Sequence, residues 1–300
     1  MQSDARDPSA EHAPDPSPDL SVARWTRVVP GRQWPREDAA RAPLGDALPE
    51  LLLSSRPLTE VHRLDLSLFV LFEEAALRVS GALVRRAPTL DALNFSAQQT
   101  LDEARHHEVF RARLDQARAA AGLPGGAVDE EILIPPLRRF LDRCYEVVDA
   151  GSFIEGMTLV NLVLEGMAFP LYAYEERYWA PVDPLLAQLI HGAFADETRH
   201  VAFGAGIVRA LLADDPARRA QVARLCAEAR AAMSEVFRYY VRKFVRLFDA
   251  VARRHRDVFA GAELAPGRLI AETPYEEQVA AIHHSIDTHH ARLLARAGLD

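Results

Sequence analysis

Asp102-Glu103-Ala104-Arg105-His106 and Asp196-Glu197-Thr198-Arg199-His200 agree at four of five positions, and each lies within a stretch of helical, largely apolar periodicity. On a helix, residues three apart share a face, so each copy turns a carboxylate and an imidazole toward one spot, with an Asp and an Arg beside them. That is a metal-ligand geometry. A single Glu-x-x-His is common on solvated helix faces, but two matching copies on apolar helices ask for a shared purpose. If the purpose is a two-metal site, two further carboxylates must come from two further helices.

Hairpin symmetry locates them. When a motif helix pairs with the helix before it, the missing carboxylate lies as far before the turn as the motif lies after it. Glu73 and Glu103 are centred on Pro88, and Glu165 and Glu197 on Pro181, so both turns fall on helix breakers. Each arm is about fifteen residues, roughly 22 Å at 1.5 Å per residue, which brings all four carboxylates to similar heights. Glu74 competes with Glu73. The stripe of Glu73 (Leu66, Phe69, Ala76, Ser80, Leu83) is almost wholly apolar, whereas that of Glu74 includes Arg78 and Arg85, a surface face. Glu165 sits among Leu162, Ala168, Phe169 and Tyr172, a buried face again. Four carboxylates on such faces are costly to bury as anions, and two divalent ions would balance them.

The formal net charge of −8 and the lack of a basic stripe argue against nucleic acid or an anionic membrane as partner. Lys243 is the only lysine, a compositional bias rather than a functional signal. Cys144 and Cys226 match no motif and read as buried thiols of a reducing compartment, so a cytoplasmic location is expected. The apolar run Leu66 to Phe72 is far too short to span a membrane, and no secretory segment opens the chain.

Residues 1–21 are rich in Pro, Asp and Ser and predict a disordered tail; 22–58, with Trp25, Trp34 and Leu51-Leu52-Leu53, predict an irregular arm with one short helix near Leu48. Residues 59–300 predict one all-α domain, a four-helix bundle of two antiparallel hairpins at 59–213 with added C-terminal helices. The expected helices are Thr59 to Arg86, Thr89 to Ala121, Pro136 to Val148, Phe153 to Trp179, Pro184 to Leu212, Ala217 to Phe259 and Thr273 to Ala297. No strand pattern rises above this periodicity. His283-His284 and His289-His290 sit among polar residues without a carboxylate cluster, and read as packing rather than as a second metal site.

With these residues in place, the chain resembles the ferritin-like superfamily, in its dimetal-carboxylate branch that contains the ribonucleotide reductase small subunit and bacterial di-iron oxygenases. The resemblance covers about Leu64 to Phe203. It implies that Glu73, Glu103 and His106 bind one metal and Glu165, Glu197 and His200 the other, some carboxylates bridging. It implies that Asp102 orients His200 and Asp196 orients His106, with Arg105 and Arg199 neutralising those aspartates. Phe110 stands where the reductase carries its radical tyrosine, Phe169 where multicomponent hydroxylases carry a threonine, and Ala193 where arylamine oxygenases add a third histidine.

The expected activity is therefore that of an O2-dependent, monooxygenase-like oxidoreductase with two iron ions or a Mn/Fe pair, as hard carboxylate-rich ligands favour. A substrate pocket is expected on the bundle axis beside Gln99, Phe110, Asn161 and Phe169, the rings suggesting a small apolar or aromatic molecule. Gln99 and Asn161 are equally able to satisfy each other. O2, a small organic substrate and an electron donor are the expected partners, and the chain leaves room for a homodimer. The alternatives are an iron-binding ferroxidase without organic substrate and a divergent radical generator resembling the reductase subunit.

Overall fold

The computed structural model describes residues 47–300. The expected tail, most of the arm, Trp25 and Trp34 lie outside the described residues.

Among the described residues eight helices follow in order: α1 (Glu50–Ser54), α2 (Arg56–Val84), α3 (Leu90–Ala120), α4 (Pro135–Ala150), α5 (Phe153–Trp179), α6 (Pro184–Leu211), α7 (Pro216–Arg254) and α8 (Tyr275–Ala297). Their ends obey the local chemistry. Thr89 caps α3 by accepting the Ala92 N–H at 3.1 Å, and Asp183 caps α6 through Leu186 N–H at 3.1 Å. Asp215 caps α7 through Arg218 N–H at 2.8 Å, and Pro184 and Pro216 each occupy a first helical position. Gly151 ends α4 with φ 107° and Gly298 ends α8 with φ 69°, conformations that a side chain would resist.

Two features depart from the sequence-based expectation. The long helix stops at Arg254, and a small antiparallel hairpin follows, β1 (Glu263–Ala265) with β2 (Arg268–Leu269), turned at Gly267 with φ 75°. Strands of three and two residues are too short to leave a period-two signature. Within α5, residues Thr158–Glu165 form a π-helix, widened so that the backbone closes one residue later than in an α-helix.

The two hairpins α2–α3 and α5–α6 pack as the four-helix bundle. Helix α4 lies against α2, α7 runs along α4 and the π segment, and α8 covers α5 and α6. One contiguous apolar core joins all of these elements. Helix α5 is apolar enough and long enough to span a membrane by composition, yet 72% of its most apolar window is buried inside the bundle. Cys144 and Cys226 are both buried and free.

Candidate metal centre

Each bundle helix delivers its acid or its Glu-x-x-His pair to one point. Ligand atoms of Glu73, Glu103, His106 and Glu197 lie within 4.8 Å of one another, as do those of Glu103, Glu165, Glu197 and His200. Glu103 and Glu197 belong to both groups, so the motif carboxylates stand between two half-sites. Glu73 and His106 close one half-site, Glu165 and His200 the other. All six side chains are buried.

The imidazoles are oriented by the opposite motif. His106 Nε2 donates to Asp196 Oδ2 at 3.1 Å, and His200 Nε2 to Asp102 Oδ2 at 3.4 Å. This fixes the Nε2–H tautomer and turns each Nδ1 to the acids. His106 Nδ1 is 3.4 Å from Glu73 Oε2 and 3.4 Å from Glu103 Oε2; His200 Nδ1 is 3.2 Å from Glu103 Oε1 and 3.2 Å from Glu197 Oε2. Arg105 ion-pairs with Asp102 and Arg199 with Asp196, and Arg199 also reaches Asp102 at 3.6 Å. The guanidinium charge thus serves the aspartates, not the inner carboxylates.

Burial shapes the electrostatics. It pushes the Glu73 carboxyl up to about 8 and Glu165 well above its ordinary range, with neighbouring carboxylates adding to Glu165. Burial alone would lower His106 and His200, but the facing carboxylates outweigh it and hold both well above the ordinary imidazole value. Metal-free, the cluster balances itself with protons. Glu103 Oε2 and His106 Nδ1 nonetheless face each other at 3.4 Å without hydrogen-bond geometry although both are buried, as expected of atoms spaced for something between them. Four carboxylates and two imidazoles, with no lysine or arginine among them, are a donor set suited to two hard divalent cations.

Residues around the cluster hold its acids. Gln99 Nε2 donates to Glu165 Oε1 at 2.7 Å and to Glu103 Oε1 at 3.2 Å. Asn161 Nδ2 donates to Gln99 Oε1 at 3.1 Å, Glu165 Oε2 at 3.2 Å and the His200 carbonyl at 3.1 Å. Both amides are committed to the cluster rather than lining an open pocket. Phe110 is fully buried and stacked on Phe69 at 4.5 Å, and Phe169 stacks on His289 at 4.7 Å. A cavity among the described residues lies between α2 and α5, walled by Phe69, Ala168 and Tyr172 among others; none of Gln99, Phe110, Asn161 and Phe169 lines it.

Tyr172 was read from sequence only as part of a buried stripe. Its hydroxyl donates to Glu73 Oε1 at 2.8 Å, a contact between residues 99 apart in the chain. Its position seven residues after Glu165, on the same face, was the available signal. The π segment was the other omission. Gly204 allows Asn161 to approach: a Cβ there would stand 2.5 Å from the Asn161 Cβ.

Solved structures share this architecture. R2-like ligand-binding oxidase with an aerobically reconstituted Mn/Fe cofactor aligns at 17% identity over 85% of this chain and 90% of that chain, TM-score 0.58. A point variant with Mn/Fe aligns at 16% identity over 85% and 90%, TM-score 0.59. Another, with an Fe/Fe cofactor, aligns at 18% identity over 85% and 90%, TM-score 0.59. The fold is ferritin-like. It is the helical architecture of these R2-like structures, and at these identities the likeness goes no further than the fold. No protein-family model matches the chain, and no curated protein matches it.

Proposed function

We propose that the protein is an O2-dependent dimetal oxidase, with Fe/Fe or Mn/Fe at the two half-sites, acting on a small apolar organic molecule. The observation that carries this reading is the reciprocal arrangement of the motifs: each histidine is anchored by the aspartate of the other copy, leaving both Nδ1 atoms among four buried carboxylates. The Mn/Fe and Fe/Fe cofactors of the similar solved structures support the choice of metals.

Bound there, a metal pair would supply the redox chemistry of an O2-dependent oxidase. The chain does the rest. Glu103 and Glu197, common to both half-sites, would hold either ion, Glu73 and His106 would hold one, and Glu165 and His200 the other. Asp102 and Asp196 fix the imidazole tautomer and raise ligand basicity. Tyr172 holds Glu73, and Gln99 with Asn161 holds Glu165, so the two terminal carboxylates are set by different partners. Phe110 on Phe69 and Phe95 on Phe203, 3.5 Å between ring centroids, keep water from both flanks.

The test is anaerobic loading with ferrous ion, metal counting, then admission of O2 while the optical spectrum and O2 uptake are followed with and without organic substrates. Two metals per chain, and an organic substrate that changes the rate of the spectral decay, are expected. Turnover of iron far beyond two ions per chain would favour a ferroxidase instead, and failure to retain metal would end the proposal.

A further inference from the structure

The two half-sites share Glu103 and Glu197 but are supported unequally. At Glu165 both carboxylate oxygens are tied: Gln99 Nε2 donates to Oε1 at 2.7 Å and Asn161 Nδ2 to Oε2 at 3.2 Å. The same two nitrogens reach further. Gln99 Nε2 also donates to Glu103 Oε1 at 3.2 Å, and Asn161 Nδ2 to the carbonyl of His200 at 3.1 Å. Neither amide can turn round. The Asn161 nitrogen faces three acceptors, Glu165 Oε2, the His200 carbonyl and Gln99 Oε1, so it must be the donor end. Gln99 is thereby left with its oxygen toward Asn161 and its nitrogen toward the acids. Both side chains are fully buried, and Asn161 lies within the π segment, seated against Gly204.

At Glu73 the support is one bond. Tyr172 donates its O–H to Oε1 at 2.8 Å, its ring held by Phe69 at 5.4 Å and by Phe194 at 6.2 Å. On this side Glu103 Oε2 and His106 Nδ1 are buried without hydrogen-bond geometry between them, whereas on the other His200 Nδ1 meets Glu197 Oε2 in such geometry at 3.2 Å. A hydrogen bond that sets a ligand's position before the ion arrives is worth about ten- to hundredfold in metal affinity. The aspartate bonds to the two imidazoles occur in both half-sites and cancel. Of the remaining bonds, four converge on the half-site of Glu165 and one on that of Glu73. A second ion also meets the charge of the first across the shared carboxylates, which spreads the two affinities further.

We propose that the two ions enter in a fixed order: the first at Glu165 and His200, where Gln99 and Asn161 have set the ligands beforehand, the second at Glu73 and His106, with an affinity governed by the Tyr172 hydroxyl. This rests on the dimetal reading of the cluster and on no reaction with O2.

The test is anaerobic titration of the metal-free, full-length protein with Mn(II), followed by calorimetry and by electron paramagnetic resonance, which tells a lone Mn(II) from a coupled pair. Two steps are expected, the first at least about tenfold tighter, with only the lone-ion signal at one equivalent. Glu73→Ala should keep the tight step and lose the weak one. Tyr172→Phe keeps the ring contacts and should weaken the second step about tenfold while leaving the first unchanged. Asn161→Leu should weaken the first step by about ten- to hundredfold, and Gln99→Leu is the second variant should that one fail to fold. A coupled signal at one equivalent, a tight step lost in Glu73→Ala, a Tyr172→Phe effect on the first step, or an unchanged first step in both amide variants would overturn the order. Two ions bound without order sink this inference and leave the dimetal reading standing; failure to retain any ion sinks both.

Discussion

Adjacent glutamates in α2 have opposite fates because one helical step separates a buried face from a wet one. Glu73 points into the cluster, whereas Glu74 accepts Arg78 Nε at 2.9 Å at the surface. Glu74→Ala should therefore change stability by less than about 0.5 kcal/mol and leave metal content at two per chain, while Glu165→Ala should empty at least the half-site it shares with His200. Metal analysis of the purified variants decides this. Gly204→Ala is a subtler probe. The new Cβ would press on Asn161, costing about 1 to 3 kcal/mol and displacing the amide that holds Glu165. Glu73 and Glu165 were legible in the sequence because apolar stripes and hairpin midpoints constrain them twice over. Tyr172 was not, because a hydroxyl on an apolar stripe says nothing about what it meets across 99 residues of chain.

At the scale of elements, breakers and caps such as Pro88, Pro181, Thr89 and Asp183 placed the ends of the bundle helices within a few residues, since those ends are governed by local chemistry. The π segment escaped because its residues, Thr158 to Glu165, are buried on all sides, polar Thr158, Asn161 and Glu165 included, so no wet face marks a phase from which a changed period can be read. What fixes that segment is remote: His290 of α8 donates Nε2–H to the Leu162 carbonyl at 2.9 Å, and Gly166 leaves room for Leu293. Burial, with Arg230 adding to it, lowers the His290 imidazole to about 4. Because the unfolded chain takes up a proton near 6.5 and the folded one only near 4, this stability is complete above about 6.5 and is lost as pH falls toward 4, to a limit of about 3 kcal/mol. Urea unfolding of the wild type should show that decline relative to His290→Leu, which has no proton to bind and should be less stable at pH 7 by about 1 to 3 kcal/mol. A parallel pH dependence in both proteins would dismiss the histidine as its source.

At the scale of the whole molecule, two buried polar centres answer differently to the removal of a charge. At the first, Asp183 receives both Arg113 Nε and Nη2, at 2.9 and 2.6 Å, together with His62 Nε2 at 2.8 Å, tying α2 and α3 to the start of α6. Burial would raise this aspartate, yet the bonds from His62 and Arg113 hold it down at about 2. Arg113→Met leaves that anion without its bidentate partner and should cost about 3 to 5 kcal/mol. The second centre, the ligand cluster, is an excess of acids balanced metal-free only by protons and imidazoles, so trimming it has the opposite consequence. Glu165→Ala removes a carboxyl that burial already disfavours, and the metal-free variant should melt no lower than the metal-free wild type. Metal reverses the order. A cation present at one hundred times its dissociation constant stabilises the native state by about 2.7 kcal/mol per site, which for a chain of this size raises Tm by roughly 4 to 5 °C per ion. Calorimetric melts with and without ferrous ion under anaerobic conditions should therefore show the wild type gaining and Glu165→Ala gaining far less, with the metal-free Tm values close together. A variant that melts well below wild type before any metal is added would mean that Glu165 holds the bundle together through Gln99 and Asn161 rather than through an ion.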